Sequence, residues 1–313
     1  MLRKIAEKQG WRRFRPAAWV QVTGEDALVF LQGQFTQDLV ATPDGGVAYG
    51  LWLTPKGRVW GDSFVLKASP TQLWVMSEGL TGVALRERLE AYVVADDVVI
   101  EDASAQAHAL VMAGLDDPSG TTPGVTRSEA VPQILARLEP GRWHREGDLV
   151  AFRGLGSRAA LGFLVTTGPA EALPRPGGVE WTQDEALRTR IARGWVRVPD
   201  DVGPGEFPNE GGLETEAISY TKGCYLGQET VARLKAFGQS RRGIRRVVGP
   251  SGLPPPSGSP LFQGAKRVGE LRTAVADGEG GFVGFALLTH AAWEPTIGLS
   301  TTELGPAHLQ VIP

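Results

Sequence analysis

Glycine and proline fill about one position in five of this chain, 41 and 22 of 313 residues. Glycine weakens a helix interior and proline breaks it. A chain punctuated this often folds into short elements joined by turns, which excludes a long helical bundle. The length corresponds to about two domains of ~150 residues, enough to bury a core without cross-links. The one cysteine, Cys224, excludes an intramolecular disulfide framework and any all-cysteine metal site built by one chain. A net charge of -3 makes no bulk demand for nucleic acid or an anionic membrane. No apolar run reaches the ~18 residues of a spanning helix. The basic segment 1–17, with Arg3, Lys4, Lys8, Arg12, Arg13 and Arg15, lacks the apolar stretch of a secretory signal and reads as a solvated tail. The expectation is a cytoplasmic protein without membrane partners.

Hydrophobic spacing predicts an α+β chain. Trp19–Val22 reads as a strand. A helix follows on the face Ala27, Leu28, Leu31, Phe35 and Leu39, with Thr23 as its cap and Asp26 at a capping-box position. Strands are expected near 47–53, 58–66, 73–76, 98–100, 108–112, 148–152 and 160–166, and helices near 80–93, 128–138 and 183–193. In the last of these, acids Asp184 and Glu185 come early and Arg190 and Arg193 late, as the helix dipole prefers. The Pro/Gly/Ser-rich stretch 249–260 reads as a turn-rich loop. Strands near 243–248, 266–275, 282–288 and 307–312 suggest a small antiparallel β-barrel over 239–313. Residues 200–216 carry six acids and no base; residues 233–246 carry six bases and no acid.

Familiar chemistries fail on the sequence. There is no phosphate-binding G-x-x-x-x-G-K-[ST] loop and no G-x-S-x-G elbow, and the four histidines are scattered. The informative segment is 217–233. Gly223 and Gly227 bracket Cys224, and a short helix with Val231 and Leu234 inward is expected to end near Gly238. Lys222 and the helix start would both favour a thiolate at Cys224; a buried core cysteine is the plainer alternative. Glu229 could cap the helix or accept from a ligand.

Lys222-Gly223-Cys224-Tyr225-Leu226-Gly227-Gln228-Glu229 resembles the signature of the YgfZ family, folate-binding proteins linked to iron–sulfur cluster assembly and repair. Three further stretches resemble the same family: Val22-x-Gly24-x-Asp26-Ala27 with Phe30-Leu31-Gln32 and Thr36-x-Asp38; Leu53-Thr54-Pro55-Lys56-Gly57-Arg58; and Arg190-Ile191-x-x-Gly194. That family is similar to the T-protein of the glycine cleavage system, an aminomethyltransferase that uses tetrahydrofolate. The resemblance implies a ring of two interleaved α+β subdomains over 18–238, with 115–180 mostly in the second, and the C-terminal barrel. It implies tetrahydrofolate as ligand and iron–sulfur client or assembly proteins as partners, with nucleic acid not expected. Cys224 is then the functional thiol, and Asp62, Lys222, Gly223, Tyr225, Gly227, Gln228, Glu229 and Arg233 are the candidate folate-site residues. The T-protein acidic pair is reduced here to Asp62, and the acid of its pterin-contacting loop is missing from Arg153–Arg158. The chain therefore reads as an accessory protein without classical turnover; a folate-dependent aminomethyl or C1 transferase, or a demethylase, is the alternative.

Overall fold

Strand β3 (Gly46–Leu53) is buried along its whole length, and this sets the architecture. Its alternate side chains enter two different cores. Val47, Tyr49, Leu51 and Leu53 face one, and Ala48 and Trp52 the other, as the two-residue repeat of a strand requires. The computed structural model describes residues 5–6, 8–115, 131–238, 240–294 and 298–312. Among these, three five-stranded antiparallel sheets form the chain. The first has the order β3-β4-β5-β2-β6, with β2 Ala18–Thr23, β4 Val59–Ser69, β5 Gln72–Ser77 and β6 Val99–Asp102. Helices α1 (Ala27–Gln34) and α2 (Gly82–Glu90) cover one face through Phe30, Leu31, Leu85 and Leu89. The second has the order β1-β7-β10-β9-β8, with β1 Gly10–Phe14, β7 His108–Ala113, β8 Trp143–Glu146, β9 Leu149–Arg153 and β10 Leu161–Thr166. The short helix α3 (Gln133–Ala136) lies against it.

The third sheet has the order β12-β13-β14-β11-β15, with β11 Arg242–Gly249, β12 Pro260–Gln263, β13 Lys266–Ala276, β14 Phe282–Thr289 and β15 Gln310–Ile312. Register shifts at Leu261/Phe262 and Leu271/Thr273 curl it. It is a half-barrel: the edge strands β12 and β15 are linked only by isolated bridges, Phe262 to Ser300 and Leu299 to Leu309. The expected closed barrel is corrected to that extent. Phe64, Phe152 and Phe163 from the first two sheets stack with centroids 4.7–5.4 Å apart. Val275, Phe285 and Leu287 of the third sheet join the same apolar cluster. The remaining helices are α4 (Gln183–Ala192), α5 (Glu214–Ala217) and α6 (Gln228–Phe237).

Two local readings change. The solvated tail contains an edge strand: β1 pairs with β7 from Gly10↔Ala113 to Phe14↔Ala109, and Trp11 is fully buried. Arg3, Lys4 and residues 128–130 lie outside the described residues. Thr23 ends β2 instead of capping α1, and the Asp26 carboxylate receives the Asp97 backbone N–H, so that helix starts without a side-chain cap. In addition, three of the six acids of 200–216, Asp201, Glu206 and Glu210, are buried. Asp201 is fully buried and accepts from Arg190, the Arg197 backbone N–H (2.8 Å) and the Thr273 hydroxyl. Glu206 takes Arg272 at 2.8 Å, and Glu210 takes Arg242 at 2.6 Å.

Removing one partner of a buried pair leaves an uncompensated charge, at a cost of about 3–5 kcal/mol. Asp201→Ala should lower unfolding free energy by about that amount in urea titrations, and Leu253→Ser, in the exposed 249–260 loop, should change it by less than about 0.5 kcal/mol. Limited proteolysis should open the 249–260 loop before 200–216.

Candidate functional site

A cavity of about 370 Å³ lies where the three sheets and α4 meet. Tyr49, Asp62 and Phe64 face it from the first sheet, Arg12, Val111 and Leu161 from the second, and Thr273 from the third. Trp181, Arg190 and Trp195 complete the wall. It is mixed in character: flat aromatic and apolar surface with a few charged groups, the usual composition of a small-molecule site.

Asp62 sits in mid-strand β4, opposite Leu51, and accepts the Tyr49 hydroxyl at 2.7 Å. Burial pushes its carboxyl up to about 6, against the opposing pull of the Tyr49 hydrogen bond and the Arg158 charge. Burial likewise raises the Tyr49 phenol well above its ordinary value. The Arg158 guanidinium lies 4.1 Å from the Tyr49 ring centre and donates to Glu216 at 2.7 Å and to the Val196 carbonyl at 3.1 Å. Glu216 also receives the Ser157 backbone N–H and hydroxyl. An acid is thus supplied to the 153–158 loop from α5, although that loop has none of its own. Arg190 bonds Asp201 and the Trp195 carbonyl, but its Nε and Nη2 are buried without a hydrogen-bond partner among the described residues.

The cysteine segment forms a separate place. Of the residues expected in a site, Asp62 lines the cavity; Cys224, Lys222, Gly223, Tyr225, Gly227, Gln228, Glu229 and Arg233 do not. Cys224 is exposed, as are Gly223, Glu229 and Arg233. Lys222 is buried, and its ammonium donates to the carbonyls of Gln32 (2.6 Å), Phe35 (2.6 Å) and Gln37 (3.0 Å). These carbonyls close the C-terminus of α1, where a cation is favoured. Lys222 is therefore committed to α1, which displaces the expectation that it acts on the thiol. Burial lowers its ammonium to about 8. Tyr225 packs beside it, with Nζ 5.1 Å from the ring centre. Gly227 has φ 85°, and a Cβ there would meet the Thr54 carbonyl at 2.7 Å, so only glycine fits against the 54–58 turn. Gly227 also precedes α6 as its N-cap, so Glu229 does not cap the helix.

Sequence reasoning missed Tyr49, Arg158, Arg190 as a cavity residue, and Glu216. Tyr49 and Arg158 stand in unremarkable strand and loop contexts. Glu216 was visible only as one of six loop acids.

Comparison with known proteins bears on the family and the fold. The GCVT N-terminal domain family matches residues 14–116. The tRNA-modifying protein YgfZ of Yersinia enterocolitica is 26% identical over 283 residues, 84% of this chain and 79% of that protein. The protein of the same name from Yersinia pestis is 25% identical over 95% of this chain and 89% of its own. The chain is similar to YgfZ over most of its length. The glycine cleavage system aminomethyltransferase T of Bartonella henselae superposes with a TM-score of 0.73 at 16% identity, covering 99% of this chain and 88% of that one. This establishes a T-protein fold. No helix among the described residues is long and apolar enough to cross a membrane.

Two predictions follow from these placements. Lys222→Met strands three carbonyls and should destabilise by roughly 2–4 kcal/mol in denaturant, whereas Cys224→Ser, at an exposed thiol, should stay within about 0.5 kcal/mol of the parent. The Asp62 carboxyl is raised on folding, so the folded chain holds its extra proton between pH 3.8 and about 6. That contribution is complete below the unfolded value and lost as pH rises through the folded one. Asp62→Asn keeps an acceptor for Tyr49 and removes the charge. It should raise the melting temperature at pH 8, by the equivalent of about 1–2 kcal/mol, and have little effect at pH 4.

Proposed function

We propose that this chain binds tetrahydrofolate in the 370 Å³ cavity and acts as an accessory protein of iron–sulfur cluster assembly or repair, with exposed Cys224 as its functional thiol. The cavity's make-up carries the reading. Trp181, Trp195 and Phe64 offer flat apolar walls to a pterin and benzoyl ring. The unpartnered Arg190 donors and the Asp62 carboxyl offer a donor and an acceptor to its polar edge. Tetrahydrofolate, when bound, supplies a one-carbon carrier. The proposal includes the ring of two interleaved α+β subdomains, consistent with a β1 that leaves the N-terminus to edge the second sheet.

Cys224 lies on the outside of the molecule, where a partner protein can reach it. One thiolate cannot hold a cluster that needs about four, so the partner must bring the others. The similar proteins are named for tRNA modification, which makes modified tRNA the natural cellular output to measure. A C1 transferase is the second reading, favoured by an Asp62 carboxyl raised to about 6, close to the working range of a general acid or base.

Trp181 and Trp195 line the cavity, so tetrahydrofolate should change intrinsic fluorescence and release heat in calorimetry. Asp62→Ala should weaken binding by about tenfold. Cys224→Ser should bind normally yet fail to restore iron–sulfur enzyme activity and tRNA modification in cells lacking the protein. No signal with saturating tetrahydrofolate would sink the folate reading, and full rescue by Cys224→Ser would sink the role of the thiol. Turnover with an aminomethyl or methylated amine donor would select the transferase.

A further inference from the structure

A second cleft, about 130 Å³, opens on the flank of α6, away from the large cavity's lining. Its walls come from the turn at Pro208 and Asn209, the first residue of α5 (Glu214), Tyr220, and Val231, Leu234 and Lys235 of α6. The polar atoms here are poorly matched from within. Asn209 Oδ1 and Glu214 Oε2 are buried and have no hydrogen-bond partner among the described residues. Buried acceptors without donors carry a desolvation cost, and an incoming donor recovers it.

The nearest cation does not fill the gap. Lys235 Nζ sits 3.6 Å from the Tyr220 ring centre, and among the described residues no cation acts on Glu214. Burial holds the Glu214 carboxyl above its ordinary range, as expected of an acid that lacks a cation. The remaining surface, Pro208, Val231 and Leu234, is apolar.

Two acceptors on an apolar floor, one of them a carboxylate, select a ligand that is flat, cationic and weakly hydrated. A guanidinium meets all three demands: its planar fork of donors spans two acceptors, and its faces lie comfortably on hydrocarbon. An ammonium is more strongly hydrated and gains less from such walls. We propose that this cleft is a binding site for a guanidinium group, held by Glu214 and Asn209. The group is either that of a small free guanidine compound or an arginine side chain of a partner protein. The site is independent of the folate reading, because none of its residues lines the large cavity.

The test is calorimetric titration of the full-length protein with agmatine, and separately with a blocked Gly-Gly-Arg-Gly-Gly peptide, each with and without tetrahydrofolate. Saturable binding of agmatine is expected, unaffected by tetrahydrofolate. Glu214→Gln should weaken it by about tenfold, and Asn209→Asp should strengthen it by adding a second negative acceptor. Lys235→Met should also strengthen it, by removing a nearby like charge. Affinity should rise with pH as Glu214 ionises. Peptide binding at least as tight as that of agmatine assigns the site to a partner's arginine; agmatine binding without peptide binding assigns it to a small free guanidine compound. Absence of saturable binding by either probe, or binding unchanged in Glu214→Gln, overturns the proposal and leaves a cleft filled by water. Thermal melting of each variant separates a lost site from a lost fold.

Discussion

The buried carboxylate of Asp201 joins what would otherwise be separate layers. It takes the guanidinium of α4 through Arg190, its own loop through the Arg197 amide, and the curled sheet through Thr273. A charge this deep contributes little net stability when paired, but its geometry is strict, because any relaxation leaves a carboxylate unsolvated. Arg190 and Thr273 both face the large cavity. The same bond that fixes the third sheet against α4 therefore fixes two parts of the cavity wall. Glu206 and Glu210 repeat the device with Arg272 and Arg242, tying β13 and β11 to the acidic loop.

That device shows where a sequence is legible and where it is not. Strands β3, β4, β7, β9, β10, β11, β13 and β14 lie within a few residues of their predicted places, because apolar runs bounded by glycine and proline carry local information. The edge strands β1 and β8 were missed for the opposite reason. Gly10-Trp11-Arg12-Arg13-Phe14 and Trp143-His144-Arg145-Glu146 are half polar, and their strand state comes from pairing with β7 and β9. The acidic and basic runs were visible in the sequence, but their partners were not. The pairing is tertiary: Arg242 of the basic run meets Glu210 across 32 positions, and Arg272, outside that run, meets Glu206 across 66.

The octapeptide around Cys224 divides along similar lines. Its glycines have legible reasons, since Gly227 needs a positive φ and a bare Cα against the 54–58 turn. Lys222 was misread, because proximity in sequence to the thiol suggested an electrostatic partner. Its long side chain instead enters the protein and closes α1, which begins 195 positions earlier at Ala27. The motif therefore has a structural half, Lys222 with Tyr225 and Gly227, and an exposed half, Gly223, Cys224 and Glu229. Only the exposed half is available for chemistry with another molecule.

The two places that matter, cavity and thiol loop, are nevertheless bonded to each other. Lys222 donates to the Gln37 carbonyl, and the Gln37 side-chain amide donates to the Glu216 carbonyl. The Glu216 carboxylate holds Arg158, which lies over Tyr49, which donates to Asp62. Thr36 adds a parallel tie, donating to the Ala217 carbonyl and accepting from the Leu51 amide. Each member is buried or half-buried, so solvent screens these contacts little. Glu216 is the member through which the first of these two paths passes. It is brought to the 153–158 loop by α5, 58 positions along the chain from Arg158, and not by local sequence. The absence of an acid from Arg153–Arg158 was read as lost catalytic capacity. The structure places a carboxylate at the loop after all, but spends it on Arg158 and Ser157. A carboxylate so engaged serves to position Arg158 against Tyr49, and Asp62, which accepts the Tyr49 hydroxyl, lines the cavity together with Glu78 and Asp200.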